Sequence, residues 1–351
     1  MVLSASGRAF FEGLHFGGGE GARLAKWSIG IAITSTLAVA ALLVAGLHSV
    51  VVLAPLGVLN LTFVLVSWPR RPRVSVDRKL KRSVWLFVTL AMVGTLASSG
   101  FSQATVLVAG WANNMEYVGQ YAAALTLTTP LMLVSAALSS VLFPALSAGH
   151  VTRSAVEVRA RLGEATSLLI TVLVGVSAVL IPVAGSLIEL LWGRGFEAAK
   201  WIILFLIPVA TATAVAVPSV TVITSKSNKG MLLSAASSLS GAAVGVVVWM
   251  VLIPVNSELA IPLGFAVGSL IVSAIPTVLA WVRYRMRWLG DFSLAWACLA
   301  LALNVAVLGQ AREFPFWQSF LFALVILCVW VLVRRRSVAE LARRLRPALF
   351  G

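Results

Sequence analysis

The sequence predicts an all-α, polytopic membrane protein of about ten transmembrane helices, made of one complete helical bundle and part of a second. Three observations carry this reading. Sixty per cent of the 351 residues are hydrophobic and 11% are charged, whereas soluble domains run near a quarter charged. The apolar residues gather into runs close to the ~20 residues that span a bilayer core. The segments between these runs alternate between strongly basic and nearly neutral.

The apolar runs fall at approximately 27–46, 50–68, 84–109, 119–146, 165–190, 201–223, 231–252, 260–282, 292–309 and 316–333. The third and fourth are long enough to tilt or to protrude from the bilayer. Trp27, Trp68, Trp85, Trp111, Trp192, Trp201, Trp281 and Trp317 sit near run ends, where an amphipathic ring meets the headgroups. The first 25 residues carry Glu12 and Glu20 and no long apolar core, so a cleavable signal peptide is not expected.

Charge orients the runs. The net charge is +15, which in a soluble protein would point to nucleic acid. Cytoplasmic loops of membrane proteins collect Lys and Arg, so the excess needs no nucleic-acid partner. With the N-terminus inside, 24 of the 27 basic residues fall on the cytoplasmic side, and only Arg194, Lys200 and Arg312 fall outside. A wrong number of runs would scramble this alternation, so both termini are expected in the cytoplasm.

The basic run Arg70–Arg82, bordered by Pro69 and containing Pro72, separates two apolar runs from eight. It divides the chain into an N-terminal cytoplasmic or interfacial segment (1–26), two helices of a partial first bundle (27–68), a basic linker (69–83), a second bundle with an extra C-terminal helix pair (84–333) and a basic tail (334–351). Within the tail, Leu341, Leu345 and Leu349 lie among arginines. Two readings stand: a helix on the anionic leaflet, or a solvated tail.

Side-chain catalysis has little to work with. Glu116 is alone in its loop, and Glu189 and Glu197 flank another loop beside Arg194 and Lys200, an arrangement suited to pairing at a span end. No HExxH, GxSxG or GxxxxGK[ST] occurs, and the stretch Gly17–Gly21 lacks the lysine and preceding strand of a phosphate loop. Cys298 and Cys328 lie inside apolar runs, where they are expected to be small buried residues. No metal site and no cofactor is expected.

Polar residues inside the runs are more informative. Thr95, Ser98, Ser99 and Ser102 share a helical face with Gln103 close by; Thr128, Ser135 and Ser139 repeat in the fourth run; Ser234, Ser237, Ser238, Gly241 and Gly245 form a third stripe. Small residues let helices approach closely, while polar ones line water-filled paths. Packing is the reading for the third stripe. For the first two, packing and a cavity remain open, with Thr95, Ser99, Gln103 and Thr128 the cavity-lining candidates. Pro130, Pro182, Pro208, Pro218 and Pro276 lie mid-run and predict bends of the kind alternating-access carriers use.

Residues 117–148, with Gly119-x-Tyr121, small Ala122 and Ala123, and the ending Leu142-Phe143-Pro144-Ala145-Leu146-Ser147, resemble the bacterial polysaccharide-export, or oligosaccharide flippase, family. Leu191-Trp192-Gly193-Arg194-Gly195-Phe196 and Leu252-Ile253-Pro254 followed by Pro262-x-Gly264 extend the resemblance, which covers roughly residues 20–335. Gly119, Tyr121, Pro144 and Gly193 are its structural positions. The superfamily also holds multidrug/toxin extruders and the lipid II flippase. The resemblance implies two helical bundles around a cavity that moves a polyprenyl-pyrophosphate-linked oligosaccharide outward across a bacterial inner membrane, for capsule, O-antigen or exopolysaccharide assembly, without nucleotide hydrolysis.

Laid on this pattern, the chain departs in two ways. The first four helices of the first bundle are missing, which implies a truncated gene model, a partner chain that supplies them, or lost activity. The third run carries Gln103 where such proteins often hold a charged residue. The pyrophosphate then needs cations from the cytoplasmic mouth, with Lys79, Lys81 and Arg82 nearest. Drug extrusion would need an intramembrane carboxylate, and a glycan polymerase or ligase would need a large external loop; the runs and loops here offer neither. Alkaline phosphatase fused after Arg82 is expected to be inactive, as on the cytoplasmic side. High phosphatase activity there would overturn the orientation.

Overall fold

The computed structural model describes residues 20–47, 49–68, 77–152, 155–225, 227–312, 314–335 and 337–339, together with Ser4, Gly7, Arg8, Phe10, Phe11, Glu12 and His15; side chains at 21, 22, 50 and 135–155 lie outside the description. Every regular element among the described residues is helical: α1 (Gly21–Val44), a 3-10 turn (Val50–Leu53), α2 (Ala54–Val66), α3 (Arg78–Ala112), α4 (Met115–Thr152), α5 (Ala155–Trp192), α6 (Glu197–Thr224), α7 (Asn228–Leu252), α8 (Ser257–Tyr284), α9 (Leu289–Ala311) and α10 (Phe316–Val333).

Eight of these helices are long and apolar enough to cross a membrane, which corrects the expectation of about ten. The second apolar run is the clearest reason. It divides into the tight turn at Val50–Leu53 and a helix of 13 residues with Pro55 in its first turn. At 1.5 Å per residue that helix is about 20 Å long, short of the ~30 Å hydrocarbon core. Apolarity is continuous through the run, but the helix is not. Helix α4 has 38 residues, with side chains described only as far as Val134, and stands outside the count of eight.

The chain forms two compact units, Met1–Asp77 and Arg78–Gly351. In the first, α1 and α2 pack around Phe11, Leu24, Ile31 and Phe63. Arg8 ties this unit together, donating to Glu12 at 2.6 Å, to Asn60 Oδ1 at 3.0 Å and to Ser28 Oγ at 3.2 Å. Residues 69–76 of the expected linker lie outside the described residues. Its second half is helical: Arg78, Lys79, Lys81 and Arg82 form the first turns of α3.

In the second unit the eight helices run up and down. Asn228 at the start of α7 donates to the Ser83 carbonyl at 3.1 Å, near the start of α3. Arg159 near the start of α5 donates to the Arg285 carbonyl at 2.7 Å, just past α8. Those ends carry the arginines and lysines that the charge reading put inside. At the opposite end, Ser257 donates to Asn113 at 2.6 Å and Gln120 Oε1 accepts from the Ala198 and Ala199 amides at 2.7 and 3.2 Å. Phe196 provides no side-chain cap for α6, so an amide from α4 satisfies two of the amide groups that a helix start leaves unpaired.

Helix α6 is the centre. It packs broadly on α4, α5 and α8, while α3 lies on α7 and α7 on α8. Helices α9 and α10 join almost entirely through α5. Helices α7 and α8 approach each other closely. A Cβ on Gly241 would stand 2.5 Å from the Gly268 carbonyl oxygen, and one on Gly268 would stand 2.7 Å from that of Gly241; Gly245 and Gly264 repeat the relation at 2.8 Å in both directions. No side chain fits in these gaps, so the backbones meet directly. Phe101 of α3 closes the contact, stacked on Trp249 with ring centroids 4.9 Å apart and on Phe265 at 5.8 Å. Of the stripe, Ser237, Ser238, Gly241 and Gly245 are buried, as the packing reading expects, and Ser234 is half-buried.

Arg334, which the sequence assigns to the basic tail, is buried at 9% exposure. It pairs with Asp291 at the start of α9, donates to Thr171 Oγ1 at 3.3 Å and Ser167 Oγ at 3.1 Å on α5, and stacks over Trp330. One guanidinium therefore joins α5, α9 and α10, with its donors shared among partners that the low-polarity surroundings require. Most of the remaining tail lies outside the described residues.

Two outcomes are expected in detergent. Gly241→Leu destroys the α7–α8 contact and lowers both the yield of folded protein and its thermal stability; unchanged values would turn that face toward lipid. Arg334→Ala strands Asp291 and costs on the order of 3 kcal/mol, read as a lower melting temperature, whereas Arg335→Ala leaves the transition in place.

Candidate functional site

The buried side of α3 is set by Phe101, Thr105 and Ala109, spaced by four. This spacing leaves Thr95, Ser99 and Gln103, also spaced by four, on the exposed side. The sequence-expected residues of this helix thus form one open stripe, interspersed with Leu96 and Leu107. Ser98 turns away and donates to the Gly94 carbonyl at 3.0 Å, while Ser102 is half-buried.

Thr128 does not join the stripe. It is 4% exposed, and its hydroxyl donates to the Leu125 carbonyl at 2.7 Å. The open side of α4 is instead Gly119, Ala122, Thr126 and Thr129, at spacings of three, four and three. Thr126 donates to the Ala122 carbonyl at 2.9 Å, so it shows a hydroxyl oxygen and a methyl group outward. That helical spacing in small and hydroxyl residues was the available signal for Thr126 and Thr129.

The positions named by resemblance take different structural parts. Gly119 is exposed, with open space where a Cβ would stand. Tyr121 is fully buried in the core that α4 shares with α6. Gly193 ends α5 with φ +90°, and its amide donates to the Glu189 carbonyl at 2.9 Å, a left-handed turn that favours glycine. The Pro144 side chain lies outside the described residues, as do those of Ser135 and Ser139.

Lys79, Lys81 and Arg82 are exposed on the first turns of α3. Gln103 is 21 residues beyond Arg82, about 32 Å along the axis. The cations and the amide therefore lie far apart along the helix and cannot touch one small headgroup together. At the far end of the unit, a crevice of 1030 Å³ is lined by Glu189, Arg194, Glu197, Lys200 and Gln310. Arg194 donates to Glu189 at 3.0 Å, and Lys200 donates to Glu197 at 2.9 Å and to Glu189 at 3.4 Å. Two cations and two carboxylates satisfy one another there, which matches the pairing read from the sequence.

The arrangement offers hydrogen bonds rather than reactive groups. An outward amide provides two donors and an acceptor, and hydroxyls add both kinds. Such a surface can hold neutral polyhydroxy compounds without fixing them at one point. No curated protein and no solved structure matches the chain. The family described as polysaccharide biosynthesis protein matches residues 22–201, which include α1, α2, both open stripes and the Gly193 turn. The chain belongs to this polysaccharide biosynthesis protein family, and its many apolar helices make it a multi-pass membrane member with a polysaccharide-related function.

Proposed function

We propose that the chain is a carrier, not an enzyme, and moves polyprenyl-pyrophosphate-linked oligosaccharide across the bacterial cytoplasmic membrane for surface polysaccharide assembly. The observation that carries this reading is the exposed stripe Thr95, Ser99 and Gln103 on a membrane-spanning helix. An unpaired amide in hydrocarbon costs roughly 2–7 kcal/mol, and lipid tails offer no partner. The stripe therefore fits a wetted wall. Thr126 and Thr129 on α4 extend the same uncharged character.

A glycan suits such a wall because its hydroxyls both donate and accept. Uncharged partners bind it weakly enough for release on the other side. The pyrophosphate is a separate problem, and Lys79, Lys81 and Arg82 at the start of α3 supply positive charge at one membrane surface. With the basic end facing the cytoplasm, as the orientation rule favours, those cations stand where the lipid-linked substrate is loaded.

Cysteine at position 103 in a chain with Cys298 and Cys328 replaced by Ala is expected to react with a membrane-impermeant maleimide, and lipid-linked oligosaccharide is expected to slow the reaction. Cysteine at Thr105, fully buried on the opposite side of the same helix, serves as the control. Complete protection of position 103, or labelling that the saccharide lipid leaves unchanged, would contradict the proposal.

A further inference from the structure

We infer that a slot between α8 and α9 holds one acyl chain of an anionic phospholipid, with the lipid headgroup on the arginines of the α8–α9 turn. Helices α8 and α9 are consecutive, yet they barely touch. Between them lies a cavity of 270 Å³, floored by Val174 of α5 and Val215 of α6, walled by Ala274 and Ala295, and ended by Trp281 and Phe292. Ala274 is exposed, so the slot opens on the outer surface of the helices.

The slot is apolar in practice as well as in composition. Three hydroxyl residues line it, Thr211, Ser273 and Thr277. Each spends its proton on its own helix: Thr211 donates to the Ile207 carbonyl at 2.8 Å, Ser273 to that of Ser269 at 3.0 Å and Thr277 to that of Ser273 at 2.8 Å. Thr211 also meets Ser177 at 2.6 Å. No hydroxyl proton is left to recognise a polar solute, and a hydrocarbon chain loses little by entering.

Length and charge select the lipid. The lining runs from Leu270 to Trp281 along α8, about 16 Å. That is one leaflet of a ~30 Å core, the depth of a phospholipid acyl chain and not of a longer polyprenyl tail. At the closed end Trp281 and Phe292 stack with centroids 6.5 Å apart, as aromatic side chains do at the headgroup level. Directly beyond them Arg283, Arg285 and Arg287 are exposed, and Arg159 reaches the same turn through the Arg285 carbonyl. The acid on the neighbouring helix start, Asp291, is taken by Arg334. The turn therefore presents several exposed arginines where a phosphate would lie.

The test is native mass spectrometry of the full chain released from nanodiscs containing equal amounts of phosphatidylglycerol and phosphatidylcholine with identical chains. The expected result is one phosphatidylglycerol retained after bulk lipid is stripped. Ala274→Trp fills the slot from its exposed side and is expected to abolish that retention. Arg283→Gln with Arg287→Gln is expected to weaken it by about fivefold per arginine, with the detergent melting temperature unchanged. Retention that survives Ala274→Trp, equal retention of the two lipids, indifference to the arginine changes, or displacement of the phosphatidylglycerol by an equal amount of polyprenyl phosphate would each overturn the assignment. None of these outcomes depends on whether the chain transports a saccharide.

Discussion

The second unit depends on the direct meeting of two backbones. Gly241 against Gly268 and Gly245 against Gly264 bring α7 and α8 so close that a single added carbon at any of the four would stand under 3 Å from a carbonyl oxygen. In water, apolar burial would hold helices together. In lipid that drive is absent, and close van der Waals packing has to replace it. The aromatic ring of Phe101, seated on Trp249 and Phe265, then fixes α3 against the pair. Because Phe101 must point into this contact, Thr95, Ser99 and Gln103 must point away from it. The open polar stripe is the geometric consequence of the buried glycines.

The same logic organises the rest of the unit. Leaving polar groups against hydrocarbon is costly, and several polar residues within the helices are matched to partners on other helices. Ser177 and Thr211 meet each other at 2.6 Å in the centre. Gln120 caps α6 from α4. Arg334 is held among Asp291, Ser167 and Thr171. Gln103, by contrast, shows its amide on an exposed helical face, and the carrier reading is an account of that placement.

Much of this was legible in the sequence, for reasons that differ from element to element. Apolar runs locate helices because the bilayer core sets their length. The alternation of arginines fixes the sequence of ends, and the structure groups Arg159, Arg285 and Arg334 with the helix ends that this alternation requires. The serine and glycine stripe of α7 reads as packing because only small residues permit it. What could not be read depends on partners distant in sequence. Nothing adjacent to Arg334 announces Asp291, 43 residues earlier, so the last arginine of a span resembles the first of a tail. Continuous apolarity at 50–68 conceals a break between a tight turn and a short helix. Thr128 differs in face from Thr126 and Thr129 by only two residues and one, which composition alone does not resolve.

The family match spans the helices that bear both stripes, and transport of a saccharide lipid is the claim on which the functional account rests. It is tested most directly by reconstituting the full chain into liposomes with a polyprenyl-pyrophosphate-linked oligosaccharide confined to one leaflet. Arrival of the glycan on the opposite face is then followed with an impermeant lectin. The account predicts that folded protein accelerates arrival over protein-free liposomes with no nucleotide present. Equal rates with and without the folded protein would contradict it.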